Sequence, residues 1–165
     1  MRHCSFWRRG ALLGAILLIS ANALEAQTQV QAGPGVRAGV SVDPDQFYFG
    51  GHFAAGPLVD RLWFRPNLEI GIGDNRTIVA FNGEFAYWFP PFQRSQWSLY
   101  VGGGPALNLI HFDEDQFGDR GTDAEGGFNI LIGVGHNEGL FAEVKVGALR
   151  SPDIKIGVGY SFPTR

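Results

Sequence analysis

The sequence predicts an all-β protein, an eight-stranded antiparallel up-and-down transmembrane β-barrel preceded by a cleaved signal peptide. Three observations carry that expectation. Apolar and polar residues alternate in eight runs separated by turn-forming clusters, whereas no helical period and no apolar run of roughly 18 residues follows the N-terminal segment. Charged residues are scarce at 18%, while the chain holds 24 glycines, 13% aromatics and 45% hydrophobic residues. That balance suits strands and excludes a disordered chain, which would carry more charge and fewer rings. The few charges within the runs fall on the face opposite the apolar side chains.

Residues 1–26 read as a signal peptide. Arg2, Arg8 and Arg9 give a positive start, Gly10 to Ser20 is uncharged and mostly apolar, and Ala21-Asn22-Ala23 or Ala26 offers a small-residue cleavage site. The apolar run is too short for a membrane-spanning helix, so a short N-terminal anchor is the weaker reading. Cleavage after Ala26 would remove three basic residues and one acidic one, deepening the acidic balance of the chain. An acidic chain is a poor match to nucleic acid. Cys4, the sole cysteine, precedes the apolar run, where a lipoprotein cysteine would follow it; residues 27–165 therefore have no thiol chemistry. After a short lead-in at 27–34, the barrel domain is expected over 35–165.

The expected strands are Gly35–Val42, Phe47–Ala54, Arg61–Gly73, Arg76–Phe89, Trp97–Ile110, Ala124–Gly135, Leu140–Ala148 and Asp153–Phe162. Asp43-Pro44-Asp45, Gly56-Pro57, Gly73-Asp74-Asn75, Pro90-Pro91, Gly118-Asp119-Arg120-Gly121, His136-Asn137-Glu138-Gly139 and Ser151-Pro152-Asp153 mark the turns. Pro66 and Pro105 fall inside runs, where a missing N–H predicts a bulge or irregularity.

Alternation alone does not say which face is inside. A soluble barrel packs its apolar face inward; a membrane barrel inverts this. The membrane reading follows from a charge-free apolar face and from an opposite face that is small and mixed in sign, with Arg37, Arg65, Glu69, Glu84, Glu143, Lys145, Lys155 and many glycines. Eight strands enclose only enough room for packed side chains, so these charges should pair as a structural plug. Aromatic residues gather at one end of the runs, Trp63 and Phe64, Tyr87-Trp88-Phe89, Trp97, Tyr160 and Phe162, as an interfacial rim would.

Lys155-x-Gly157-x-x-Tyr160-x-Phe162 resembles the C-terminal signal read by the outer-membrane assembly machinery, here followed by Pro163-Thr164-Arg165. With its signal peptide, length and alternation, the whole chain resembles the small outer-membrane β-barrel proteins that include the OmpA barrel, OmpX and opacity-type proteins. The resemblance implies a Gram-negative outer membrane, lipids as surroundings, assembly machinery and periplasmic chaperones during biogenesis, a monomer, and a structural or surface-interaction role without a cofactor.

Candidate chemistry is sparse. The loop His111–Asp123 is acidic, but its spacing fails a calcium-binding loop, and no metal is expected. A hydrolase would need serine, histidine and an acid together; His52, His111 and His136 with Ser41, Ser98 or Ser161 show no local pairing, and no enzyme is expected. The competing reading is a soluble periplasmic lipocalin-like barrel that would turn Val40, Phe49, Ile70, Phe85 and Ile130 inward around an apolar ligand. A lipid A-modifying enzyme and a narrow pore rank below it.

Overall fold

The computed structural model describes residues 32–73, 76–112, 121–148 and 154–162. Eight strands follow one another: β1 Gly33–Val42, β2 Gln46–Val59, β3 Leu62–Gly73, β4 Arg76–Trp88, β5 Trp97–Phe112, β6 Thr122–His136, β7 Leu140–Ala148 and β8 Ile154–Ser161. Each pairs antiparallel with its neighbour in sequence, and β1 pairs with β8, so the sheet closes on itself. Closure leaves the barrel wall without the exposed edge that an open sheet would present. No helix among the described residues is long and apolar enough to cross a membrane. The signal-peptide segment, the turns at Asp74-Asn75 and Ser151-Pro152-Asp153, and the tail Pro163-Thr164-Arg165 lie outside the described residues.

Burial follows the two-residue period of the strand. Val40, Phe49, Phe85 and Ile130 are exposed and Ile70 half-buried, all on the outer face. Arg37, Arg65, Glu69, Glu84, Glu143, Lys145 and Lys155 are buried inside. This is the reverse of the arrangement a lipocalin-like barrel would need, and it overturns the apolar-inward alternative.

The lumen is filled because large side chains lie across glycines. A Cβ at Gly133 would collide with Tyr100, one at Gly135 with Trp88, one at Gly159 with Phe141, and one at Gly157 with Tyr48. Each glycine thus opens a slot for a ring from an adjacent strand or the next one beyond it, which explains why so many glycines occupy inward positions. Ala54, Trp63, Ala86, Trp88, Tyr100, Leu131 and Phe141 form one apolar cluster within the lumen. It lies toward the end of the barrel that carries the start of β1 and the end of β8. Two of the residues expected on the aromatic rim, Trp63 and Trp88, therefore point inward, at 5% and 8% exposure. The reason is parity. Trp63 shares the face of Arg65 and Glu69, and Trp88 that of Glu84.

Four boundaries differ from expectation by two residues or more. β2 does not end before Gly56-Pro57 but runs to Val59, with its register to β3 shifting between Ala55 and Val59. The chain reverses instead at Asp60, whose φ of 48° places it in the left-handed region, where aspartate is tolerated better than most side chains. β5 and β6 together extend further than expected, so His111, Phe112, Thr122 and Asp123 belong to strands rather than to the acidic loop. β1 starts at Gly33, ahead of the expected Gly35.

The prolines act more quietly than a bulge. Beside Pro66 the β2–β3 pairing passes from His52–Asn67 to Ala55–Phe64, and beside Pro105 the β4–β5 pairing passes from Asn82–Ala106 to Phe85–Gly103; neither changes register. Proline removes a ladder donor, and here the wall continues past the gap.

Candidate functional site: the charged lumen

Four cations and three carboxylates converge inside the barrel from five of its eight strands, and a tyrosine joins them from a sixth. β1 supplies Arg37, β3 Arg65 and Glu69, β4 Glu84, β7 Glu143 and Lys145, and β8 Lys155, while Tyr100 comes from β5. The hydrogen-bonded pairs among them are at least 32 positions apart in sequence; the strand period aims all of them inward, and closure brings them together.

Glu143 is the hub. Arg37 Nη1 donates to its Oε1 at 2.9 Å, Arg65 Nη2 to its Oε2 at 3.0 Å, and the Tyr100 hydroxyl to the same Oε2 at 2.8 Å. Glu69 is held as firmly. It accepts from Arg37 Nη1 at 3.2 Å and Lys145 Nζ at 2.8 Å on Oε1, and from Lys155 Nζ at 2.9 Å on Oε2. Lys145 also donates to Glu84 Oε1 at 2.6 Å. Burying charge without partners costs several kcal/mol per ion, so the alternation of sign within the cluster is what makes it tolerable. The guanidinium groups face rings as well. Arg65 sits 5.0 Å from the Tyr100 ring centre and 5.1 Å from that of Phe141, and Arg37 sits 5.6 Å from Phe141.

A second, neutral string crosses the lumen. Asn129 Nδ2 donates to Asn82 Oδ1 at 2.9 Å, Asn82 Nδ2 to Asn67 Oδ1 at 2.8 Å, and Asn67 Nδ2 to the Arg65 carbonyl at 3.2 Å. The sequence reading missed this chain, although the three asparagines share inward parity with Glu84, Glu69 and the glycines of β6.

Of the candidate histidine and serine residues, the structure brings together His52 and Ser161, whose Nε2 and Oγ are 2.9 Å apart across β1. The remaining ring nitrogen of His52, Nδ1, has no hydrogen-bond partner, and no carboxylate orients the imidazole. Without an acid to fix the tautomer, this pair is half of a nucleophile–base–acid arrangement. The other two histidines lie elsewhere: His111 Nδ1 is 3.2 Å from Thr122 Oγ1, and His136 stacks edge-on to Trp97 at 5.0 Å.

Among the described residues, no three histidine, cysteine or acidic side chains cluster as a metal site would require. Asp113, Glu114, Asp115 and Asp119 of the acidic loop lie outside the described residues.

Outside the barrel, Tyr87, Phe89, Tyr160 and Phe162 are exposed at the end that carries the start of β1 and the end of β8, with Phe64 and Trp97 half-buried. Tyr87 and Phe89 meet edge-on at 5.4 Å, as do Tyr160 and Phe162 at 5.3 Å. In the C-terminal pattern, Lys155 and Gly157 face the lumen and Tyr160 and Phe162 face outward, and the Phe162 N–H donates to the Pro34 carbonyl at 2.8 Å.

The fold is similar to the crystal structure of the N-terminal β-barrel domain of Pseudomonas aeruginosa OprF, with a TM-score of 0.59 and 18% sequence identity, covering 80% of this chain and 98% of that one. No protein-family model matches the sequence. No curated protein matches it either. What the chain shares with that domain is the closed eight-stranded antiparallel barrel.

Proposed function

We propose that the chain is an outer-membrane β-barrel with a structural or surface-interaction role, its lumen closed by the charged cluster and the aromatic layer. One observation carries the reading. Large apolar side chains cover the outside of all eight strands, among them Val40, Phe47, Ile72, Phe81, Leu107, Ile132, Val144 and Ile156, while seven charged residues are buried inside. In water such an exterior would aggregate. In lipid it is the stable arrangement, because every strand finds a backbone partner and no charge faces hydrocarbon. The similarity to a barrel domain of OprF supports the fold on which this reading depends.

Further parts of the proposal follow from the same geometry. Tyr87, Phe89, Trp97, Tyr160 and Phe162 form the interfacial rim at the end bearing the start of β1 and the end of β8. Lys155, Gly157, Tyr160 and Phe162 are read by the assembly machinery after chaperoned transit of the periplasm, with residues 1–26 removed on export. The barrel works as a monomer and has no catalytic role, since no acid joins the His52–Ser161 pair.

The test is fractionation followed by electrophoresis and conductance. The protein should stay with outer membranes until detergent is added, and should migrate differently on gels before and after heating. In planar bilayers it should show no sustained conductance. A folded, monomeric protein in the detergent-free aqueous fraction would refute the membrane reading, and steady channel currents would refute the closed lumen.

A further inference from the structure

The buried cluster does not balance. Arg37, Arg65, Lys145 and Lys155 face Glu69, Glu84 and Glu143, four cations against three carboxylates, all at 6% exposure or less. An uncompensated positive charge in a packed lumen is costly, and the geometry shows where it is least satisfied. Arg37 and Lys145 each reach two or more carboxylates, and Arg65 shares Glu143 with Tyr100. Lys155 Nζ donates to a single carboxylate oxygen, Glu69 Oε2, and otherwise faces the Tyr48 ring, 5.4 Å from its centre, which accepts no conventional hydrogen bond. An ammonium has three N–H donors, so two remain.

A cavity of about 10 Å³ lies beside that ammonium, lined by Ser41, Gln46, Tyr48, Glu69, Ile78 and Lys155 among others. These residues sit toward the turn between β1 and β2, at the end opposite the start of β1. The space holds one occupant about the size of a water molecule. Glu69 on its wall does not repel an anion as a free carboxylate would, because Arg37, Lys145 and Lys155 already hold it.

We propose that this cavity binds one small monovalent anion of halide size, held by Lys155 Nζ and the Tyr48 hydroxyl, whose charge completes the ion balance of the lumen. The site depends only on the inside of the barrel, so it stands whether or not the exterior meets lipid. Ligand that binds only the folded state raises the melting temperature with its concentration.

The experiment melts the full-length barrel, refolded in detergent, in sodium chloride and in sodium gluconate of equal ionic strength, gluconate being too large for the cavity. In chloride the melting temperature of the unaltered protein should rise by roughly 3–6 °C per tenfold increase once the site begins to fill; in gluconate it should stay flat. Lys155→Met should lose the difference between the salts. Gln46→Glu places a fixed carboxylate on the cavity wall and should also lose it, melting above the unaltered protein at low chloride. Because Gln46→Glu keeps the lysine and the side-chain shape, it carries the test if Lys155→Met fails to fold. Identical melting of the unaltered protein in the two salts would overturn the proposal, as would a folded variant of either kind that kept the chloride dependence.

Discussion

Glu143 joins more of the lumen than any other side chain, taking hydrogen bonds from Arg37, Arg65 and Tyr100 while Lys145 lies 3.6 Å away. Removing one partner from a buried ion cluster leaves the others charged and unpaired, which costs about 3–5 kcal/mol. Glu143→Gln is expected to lower the unfolding free energy by that amount in urea titrations of the barrel folded into vesicles. Tyr100→Phe deletes one hydrogen bond to a charged group and should cost about 1.5–3 kcal/mol in the same assay. If both changes were neutral, the lumen would be wet rather than packed. The seven charged residues were legible from the sequence because each interrupts an otherwise small or apolar alternation. Their pairing was not. Arg37 and Glu143 are 106 positions apart, and only closure of β1 on β8 decides which carboxylate each cation meets.

A strand in this barrel presents two unlike surfaces, and β6 shows the contrast plainly. Ile130 and Ile132 point outward at 56% and 50% exposure, while the alternate residues Asn129 and Leu131 are buried. Ile132→Lys would be harmless on a surface facing water. Facing hydrocarbon near the midplane it should cost about 2–4 kcal/mol, measurable by the same titration in vesicles. On the inner side, Gly133 receives the Tyr100 ring. Gly133→Val should therefore reduce the yield of folded, heat-modifiable barrel, and pairing it with Tyr100→Ala should restore part of the yield. Strand positions were largely readable from period-two alternation. Where the reading failed, two local signals competed with it. Gly56-Pro57 has the chemistry of a turn, yet the closing hairpin forms at Asp60. Trp63 and Trp88 have the amphipathic character of rim residues, yet parity with Arg65 and Glu84 turns them inward. Parity was the better guide in both tryptophans, and it was available in the sequence.

Taken as a whole, the molecule has its polar and apolar parts inverted relative to a water-soluble barrel. The charged cluster and the asparagine string fill the middle of the lumen, the layer of Trp63, Trp88 and Phe141 fills one end, and the apolar belt surrounds both. Sequence periodicity leaves open which face is inside, since the alternation is identical either way; the scarcity and mixed sign of the charges pointed to the inside, and burial places them there. Because Cys4 is the only cysteine, single-cysteine variants of the region after residue 26 can be labelled cleanly. The most direct measurement is spin-label accessibility at Ile130, Ile132, Val144 and Ile156 in vesicles, with Glu138 in the β6–β7 turn as the aqueous reference. The inverted barrel predicts that the four outward positions collide with oxygen dissolved in lipid and are shielded from a water-soluble nickel complex, while Glu138 shows the opposite. Nickel access at the four strand positions equal to that at Glu138 would contradict it.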